Sequence, residues 1–333
     1  MQQAFSSGYF FNFVLDNPCK DNKIDSLETV QSLFNMTLPS FLQPGDTIAI
    51  VATARKISPE ELQAPIAVLQ AWGLQVIIGG NLHGVFHQFS GTDEQRKDDL
   101  QQALDNPLVK AIIIARGGYG TVRIIDRLDF TKFIASPKWI IGYSDITVLH
   151  QHINQNFGIA TLHATMPINF NKNKAATESL RRALFGETLQ YDFPSHSLNR
   201  TGTCSGEIVG GNLSLIYALT GSKSDIDTTG KILFMEDLDE YLYHVDRMMM
   251  NLKRAGKLSG LKGLIVGGMS EMKDNAVPFG QTAEEIISEA VTGYNYPVCF
   301  NFPAGHIDQN MAVYFGKNAE LSVNSRVSYL RFI

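Results

Sequence analysis

The fold is decided by the stretch KWIIGYSDIT, residues 138–147. A short apolar strand, Trp139 to Ile141, leads into Gly142, and an amphipathic helix begins at Ile146. Ser144 lies in the turn between strand and helix. This order is typical of a nucleophile elbow, in which a sharp turn exposes the serine hydroxyl and the positive end of the helix faces it. The stretch therefore predicts an α/β fold with a candidate nucleophile at the end of a strand.

Two interpretations of this turn stay open on the local sequence. The second glycine of the GxSxG elbow motif is absent, because Ile146 stands in its place. In the first interpretation Ser144 is a nucleophile, and the free amides at the start of the helix stabilise its oxyanion. In the second, the side chain of Ser144 or Asp145 only caps the helix.

Strands and helices alternate on both sides of this stretch. Such alternation predicts a parallel sheet covered by helices on both faces, with ligands beyond the carboxyl ends of its strands. The predicted strands are 47–52, 74–78, 111–115 and 139–141, and the predicted helices are 58–72, 93–104, 122–128 and 146–155.

The second half of the chain indicates a separate, mixed sheet with fewer crossovers. The polar stretch 192–205 is the candidate linker, so we expect domains at 39–192 and 205–333 after an N-terminal extension over 1–38. In this half the predicted strands are 232–235, 263–268, 298–302, 311–315 and 326–332, and the predicted helices are 241–255 and 282–291.

Composition and charge exclude several classes of protein. The 333 residues are 44% hydrophobic and carry a net charge of -5 without a basic stripe, so neither nucleic acid nor an anionic membrane is an expected partner. No apolar run approaches the roughly 18 residues of a spanning helix, and no secretory signal begins the chain, so we expect a cytoplasmic protein. Three scattered cysteines do not form a disulfide framework or a CxxC metal site, and Cys299 is a predicted core residue.

A glycine-rich turn, RGGYGT at residues 116–121, also follows a predicted strand and precedes a predicted helix. Its backbone amides could hold a phosphate. The dinucleotide fingerprint fails, however, because Arg123 stands where a glycine is needed, and there is no Walker lysine. The same loop could instead supply an amide to an oxyanion formed on Ser144, or it could be only a tight turn that needs positive φ.

A serine nucleophile needs a base and an orienting carboxylate. His306 follows an apolar strand on the glycine-containing loop FPAGH, residues 302–306, which suits a catalytic base. Glu236 ends the apolar run 232–235, and a carboxylate at the end of a buried strand costs desolvation unless it is paired.

Metal coordination is not expected. His83 and His87 are four residues apart, and His150 and His152 are two apart, but no HExxH motif or nearby set of carboxylates accompanies them. We therefore expect His150 to be a packing residue of the elbow helix.

Five short blocks, in this order along the chain, resemble the LD-carboxypeptidases, the murein tetrapeptide carboxypeptidases of serine-peptidase type. The resemblance extends from about Leu42 to the C-terminus, and residues 1–38 have no counterpart in it. The blocks are ARGGYG at 115–120, GYSDIT at 142–147, GGNL at 210–213, LFMED at 233–237 and GH at 305–306.

The resemblance implies a Ser-Glu-His arrangement that maps onto Ser144, Glu236 and His306. It also implies an N-terminal Rossmann-like domain that carries the serine, a smaller mixed α/β domain that carries Glu and His, and an active site between them. A homodimer is common in the family. The amide of Asp145 and an amide at Gly117 or Gly118 would receive the oxyanion.

The implied reaction removes the terminal D-Ala from a cytoplasmic murein tetrapeptide during cell-wall recycling, and it needs no cofactor or metal. The bond cleaved is the amide between the L-centre of a diamino acid and that D-Ala. A related branch of the family inactivates a peptide-nucleotide antibiotic. Two other classes of protein stay open: a nucleotide-dependent enzyme that uses the Gly117–Thr121 loop, and a peptide- or sugar-binding module without catalysis.

Overall fold

Two β-sheets and the helices around them make up residues 36–333, the part of the chain that the computed structural model describes. The predicted N-terminal extension lies almost wholly outside these residues. The strands are β1 (Thr47–Val51), β2 (Gln75–Ile78), β3 (Val109–Ile114), β4 (Trp139–Gly142), β5 (Thr161–His163), β6 (Gln190–Pro194), β7 (Gly202–Asn212), β8 (Ile232–Leu238), β9 (Gly263–Ser270), β10 (Val298–Cys299), β11 (Val313–Phe315), β12 (Asn318–Val323) and β13 (Val327–Phe332). The α-helices are α1 (Pro59–Ala71), α2 (Asp93–Asp105), α3 (Thr131–Ala135), α4 (Thr147–Phe157), α5 (Lys174–Leu184), α6 (Leu213–Leu219), α7 (Leu242–Arg254) and α8 (Ala283–Ala290).

The first sheet has the strand order β11-β5-β4-β3-β1-β2, and its five N-terminal strands are parallel. Every residue of β4 is buried, as expected for a central strand that helices cover on both faces. The predicted parallel α/β sheet is therefore confirmed. Its edge strand β11 comes from the C-terminal part of the chain and pairs antiparallel with β5.

The second sheet has the order β10-β9-β8-β7-β12-β13-β6. Strands β7 to β10 are parallel, whereas β12, β13 and β6 are joined by antiparallel pairs. This confirms the mixed sheet. Cys299 is fully buried in the core, as predicted.

Two local predictions differ from the structure. The helix predicted over 122–128 is wrong, because two short 3-10 turns, Thr121–Arg123 and Ile125–Arg127, stand there without a side-chain cap. The stretch 192–205 contains the end of β6 and the start of β7, so both of its ends belong to the second sheet. The division of the chain into domains at these positions stays a prediction.

The two sheets meet where β7 ends beside the start of α4. The amide of Asn212 donates to Thr147 Oγ1 at 2.9 Å. Gly211 has φ +134°, and a Cβ there would lie 2.5 Å from the same hydroxyl oxygen, so this contact requires glycine. It fixes the elbow helix against the second sheet. No helix within residues 36–333 is both long and apolar enough to span a membrane.

Candidate active site

Ser144 lies in a sharp turn between β4 and α4. Its φ of +66° is left-handed, a conformation that costs a non-glycine residue on the order of 1–3 kcal/mol. Gly142 has φ +157°, and a Cβ there would lie 2.8 Å from Ile146 Cγ1. A short 3-10 turn, Ser144–Ile146, then leads directly into α4. The strand-turn-helix geometry of a nucleophile elbow is therefore present, although Ile146 replaces the second glycine of the motif.

The structure tests the second interpretation of this turn, in which a side chain only caps the helix. Ile146 occupies the N-cap position of α4, and neither α4 nor the 3-10 turn has a side-chain cap hydrogen bond. The interpretation that Ser144 or Asp145 only caps the helix is therefore wrong. Ser144 lies at the end of a buried strand, its backbone is strained and its side chain does not cap the helix, as is typical of a nucleophile in such a turn.

The glycine-rich loop lies directly against Ser144. A Cβ on Gly117 would lie 3.2 Å from Ser144 Oγ and 3.1 Å from Ser144 Cβ. Gly118 has φ +126°, and a Cβ there would lie 2.6 Å from Arg55 Cγ. Within residues 36–333 the amides of Gly117 and Gly118 have no backbone acceptor. The amide of Gly117 is therefore available beside the serine, and the amide of Gly118 follows it in the loop.

The side chain of Asp145 joins this loop to the elbow. Its carboxylate accepts hydrogen bonds from the amide of Thr121 at 2.8 Å and from the hydroxyl of Thr121 at 2.6 Å. Burial raises the pKa of Asp145, while these hydrogen bonds oppose the increase. A carboxylate thus occupies the amide that a phosphate cradle would offer, and a three-residue 3-10 turn follows the loop instead of a helix N-terminus. The loop therefore lacks the helix N-terminus of a typical phosphate site.

His306 and Glu236 form a hydrogen-bonded pair. His306 Nδ1 lies 2.7 Å from Oε2 of Glu236, and the amide of His306 donates to the same oxygen at 3.0 Å. Glu236 is fully buried at the end region of β8, and His306 follows β10 on the predicted loop. Burial would lower the pKa of His306, but the charge and hydrogen bond of Glu236 outweigh it, so this pKa is raised. Burial favours the neutral form of Glu236, but the charge and hydrogen bond of His306 outweigh it, so the pKa of Glu236 is lowered.

The backbone around His306 is held at several points. Gly305 has φ +107°, and a Cβ there would lie 2.7 Å from Glu236 Cβ, so only glycine allows the loop this close to the carboxylate. Ser270 Oγ donates to the carbonyl of His306 at 2.8 Å. The imidazole therefore has a fixed position beside β8.

Tyr143, the neighbour of Ser144, brings the elbow and this pair together. The rings of Tyr143 and His306 are 4.9 Å apart, centroid to centroid. Within the described residues, Ser144 Oγ and His306 are not hydrogen-bonded to each other. Such bonds are often long or open in the absence of substrate.

The comparisons with known proteins agree with this geometry. Residues 48–164 match the LD-carboxypeptidase N-terminal domain, and residues 205–321 match the LD-carboxypeptidase C-terminal domain. The "Probable murein peptide carboxypeptidase" of Bacillus subtilis (strain 168) is 34% identical over 303 residues, covering 88% of this chain and 93% of that protein. The chain belongs to the LD-carboxypeptidase family.

Two solved structures resemble this LD-carboxypeptidase. The muramoyltetrapeptide carboxypeptidase from Oxalobacter formigenes has a TM-score of 0.79 at 28% identity, covering 86% of this chain and 98% of that one. The microcin C7 self immunity protein MccF, in complex with aspartyl sulfamoyl adenosine, has a TM-score of 0.79 at 21% identity, covering 89% of this chain and 98% of that one. The second likeness shows the fold alone.

In this LD-carboxypeptidase a pocket of about 250 Å³ opens beside His306. Its charged residues are the exposed Lys172, Glu271 and Asp308. Tyr143 also lines it, and its hydroxyl accepts a hydrogen bond from Asn169 Nδ2 at 2.7 Å. The pocket therefore presents one cation and two anions beside the imidazole.

Asp237 ends the same apolar run as Glu236, and it is buried and holds the Gly-Gly-Asn block of the LD-carboxypeptidase pattern. Its carboxylate accepts from Asn212 Nδ2 and from the amide of Ser214, each at 2.8 Å. Burial, followed by the charge of Glu236, raises the pKa of Asp237 to about 7. The two acidic residues therefore have different partners: Glu236 binds His306, and Asp237 binds the end of β7.

His150 lies on α4 and packs behind the elbow. His150 is fully buried, its Nε2 lies 2.9 Å from the carbonyl oxygen of Gly142, and burial lowers its pKa to about 3. It packs against the elbow, as expected. Among residues 36–333, no three His, Cys, Asp or Glu side chains are grouped so that they could hold a metal ion.

Proposed function

We propose that this LD-carboxypeptidase is a serine enzyme that releases the terminal D-Ala of a murein tetrapeptide, with Ser144, Glu236 and His306 as catalytic residues. The observation that carries the proposal is that a serine with left-handed backbone lies next to Tyr143, whose ring packs against a histidine that is hydrogen-bonded to a buried carboxylate. Both features are costly on their own, and each is what acyl transfer by a serine needs. The names of the relatives support the substrate class.

The hydrogen bonds of His306 fix the proton positions in this mechanism. An ionised carboxylate only accepts hydrogen bonds, so the Nδ1 atom that faces Glu236 carries a proton. In the neutral ring Nε2 is then free to accept the Ser144 proton as the serine attacks the amide carbonyl. Glu236 stabilises the resulting imidazolium, which passes its proton to the D-Ala nitrogen as the carbon–nitrogen bond breaks. Water then hydrolyses the acyl-enzyme with the same residues in reverse roles.

The tetrahedral oxyanion needs donors that are already in place. We assign this role to the amide of Asp145 and to an amide at Gly117 or Gly118. The last two have no backbone acceptor in the described chain, and Gly117 lies against the serine. The bond between Asp145 and Thr121 holds loop and elbow together, so these donors keep their spacing.

The charges of the pocket beside His306 fit a peptide of this kind. Lys172 offers a cation for the terminal carboxylate of D-Ala. Glu271 and Asp308 offer carboxylates for the free amino group of the diamino acid. The proposed site needs no metal or cofactor. The cytoplasm, where murein fragments are recycled, is the proposed location, and a homodimer is the proposed assembly.

The test is hydrolysis of synthetic tetrapeptides by the purified full chain. The proposal expects release of D-Ala from a tetrapeptide with L-configured diamino acid at position three, and no release by Ser144→Ala. Aspartyl sulfamoyl adenosine is the comparison substrate. Cleavage of that compound together with an inert tetrapeptide would replace the proposed substrate by a peptide-nucleotide conjugate. Absence of hydrolysis of either compound would contradict the proposal.

A further inference from the structure

We propose that His163 and Asn310 are positioning residues that hold the loop of His306 at a fixed distance from the Ser144 elbow. The inference rests on the roles proposed above for Ser144 and His306. Neither His163 nor Asn310 has a part in the proton transfers. Both are buried, at 0% and 3% exposure.

His163 belongs to the part of the structure that carries the nucleophile. It is the last residue of β5 and lies opposite Gly142 in the β4–β5 ladder, two residues before Ser144. The amide of Ala164 donates to the carbonyl of Gly142 at 3.2 Å. A displacement of His163 would therefore be transmitted directly to the elbow.

Asn310 belongs to the loop that carries the base. Its Oδ1 accepts a hydrogen bond from the amide of Gly305 at 2.8 Å and lies 3.1 Å from Nε2 of His163. Gly305 immediately precedes His306. The side-chain oxygen of Asn310 thus connects the backbone of the His306 loop with the side chain of His163, which lies on a strand next to the elbow and 147 residues away in the sequence.

The same contacts determine the proton of His163. Because Asn310 Oδ1 is an acceptor, Nε2 of His163 is the donor, and its Nδ1 has no partner within the described residues. Burial lowers the pKa of His163 to about 4, so the ring is neutral near pH 7. A neutral donor holds the loop without adding a positive charge beside the imidazolium that forms on His306.

The surroundings of His163 allow a clean substitution. Its ring lies 5.8 Å from Tyr143, 5.1 Å from Phe234 and 5.6 Å from Phe315, centroid to centroid. Phenylalanine would keep this aromatic packing and remove only the hydrogen bond. His163→Gln is the conservative partner, since its side-chain amide can still donate to Asn310.

His152 provides the matched control. It is also a buried histidine among aromatic rings, 5.4 Å from Phe130 and 5.7 Å from Phe157, with Nδ1 2.9 Å from Ser224 Oγ. It lies on α4 beside a different pocket. His152→Phe therefore shows how much stability and activity the protein loses when a buried histidine hydrogen bond that is not connected to His306 is removed.

The experiment measures steady-state kinetics on the tetrapeptide and the rate at which a fluorophosphonate labels Ser144. We expect His163→Phe to lower kcat and the labelling rate on the order of 10²-fold, the effect of a misplacement of about 1 Å, with KM unchanged. His163→Gln should recover most of this loss, and Asn310→Ala should reproduce it. His152→Phe should keep the wild-type rates.

The pH profile separates positioning from a general loss of structure. If the pair with Glu236 is loosened, the acid limb of kcat/KM should move to lower pH in His163→Phe and stay in place in His152→Phe. The other charged groups near His306 are unchanged in both variants. They are Glu236 and Asp237 on β8, Glu271 after β9, Asp308 on the loop of His306 and Lys172 before α5.

Two outcomes would overturn the inference. One is a wild-type labelling rate in both His163→Phe and Asn310→Ala. The other is an equal loss in His163→Phe and His152→Phe with equal lowering of Tm. Should the wild type be labelled at Ser144 yet release no D-Ala, the proposed substrate is wrong, and the labelling arm still tests the positioning.

Discussion

Glu236 holds His306 through a single carboxylate oxygen, which lies 2.7 Å from the ring Nδ1 and 3.0 Å from the backbone amide of the same residue. Two contacts to one residue fix both the loop and the ring. They also fix the tautomer, because an ionised carboxylate cannot donate. The unprotonated Nε2 is therefore directed away from Glu236, and the ring of Tyr143, the neighbour of Ser144, packs against the same imidazole.

The first prediction concerns the catalytic unit. Ser144→Ala and His306→Ala should each lower kcat by a factor on the order of 10³ to 10⁶. The double variant should be little worse, because either substitution alone already abolishes the step in which both residues take part. The measurement is kcat for the two single variants and the double variant. Losses that multiply would mean that the two residues act independently.

The second prediction concerns pH. The pKa of His306 is raised, so protonated His306 persists above the ordinary value of about 6.5, and kcat/KM should fall as pH is lowered through that raised pKa. Glu236→Gln removes the charge that favours the protonated ring, so the limb should move to lower pH while the maximal rate drops. The exposed Glu178→Gln is the control and should leave the limb in place. A limb that moves to higher pH in Glu236→Gln would exclude Glu236 as the partner.

The third prediction concerns Gly117. Its backbone has no positive φ, so Gly117→Ala can fold, but the added Cβ would lie 3.2 Å from Ser144 Oγ. Alanine keeps the backbone amide, but its methyl group would push the loop and Ser144 apart, so we expect kcat to fall on the order of 10²-fold through misplacement of the serine and the amide. Gly293→Ala is the control, because a Cβ there meets no atom within 4 Å. Equal, near-wild-type activity in both variants would show that catalysis does not depend on the close approach of Gly117 to Ser144.

The fourth prediction concerns recognition of the terminal carboxylate. Lys172→Met should lower kcat/KM on the free-acid tetrapeptide about tenfold, the value of one charge-assisted hydrogen bond of roughly 1.5 kcal/mol. A tetrapeptide with a C-terminal amide lacks this carboxylate, so we expect a lower rate on it in the wild type and no further loss in Lys172→Met. Lys174→Met, two residues on at the start of α5, should behave as wild type. If Lys172→Met still prefers the free-acid tetrapeptide over the C-terminal amide, another cation binds the terminal carboxylate.

Short-range patterns explain why much of the fold and the nucleophile could be predicted. The elbow is built from consecutive residues: a strand, Gly142, Ser144 and the following helix. The hydrophobic pattern of this one stretch therefore predicts its geometry. The left-handed φ of Ser144 was not itself readable from the sequence, because a serine seldom adopts it. His306 and Glu236 were found as strand-end polar residues, and the family resemblance joined them.

Long-range contacts explain what could not be predicted. His163 and Asn310 look like an ordinary strand residue and an ordinary loop residue, and only the fold brings them together. Strand β11 is too short to reveal that it pairs with β5 in the first sheet. The stretch 192–205 reads as a linker because polar residues alternate in β6 and the start of β7, which are partly exposed.

The most direct test of the account is to identify the residue that a fluorophosphonate modifies in the full-length wild-type chain, by mass spectrometry of its proteolytic peptides. We expect a single adduct on Ser144, formed slowly or not at all in His306→Ala, and complete loss of D-Ala release once the adduct has formed. Release of D-Ala at the wild-type rate by a chain modified at Ser144, or by Ser144→Ala, would contradict it.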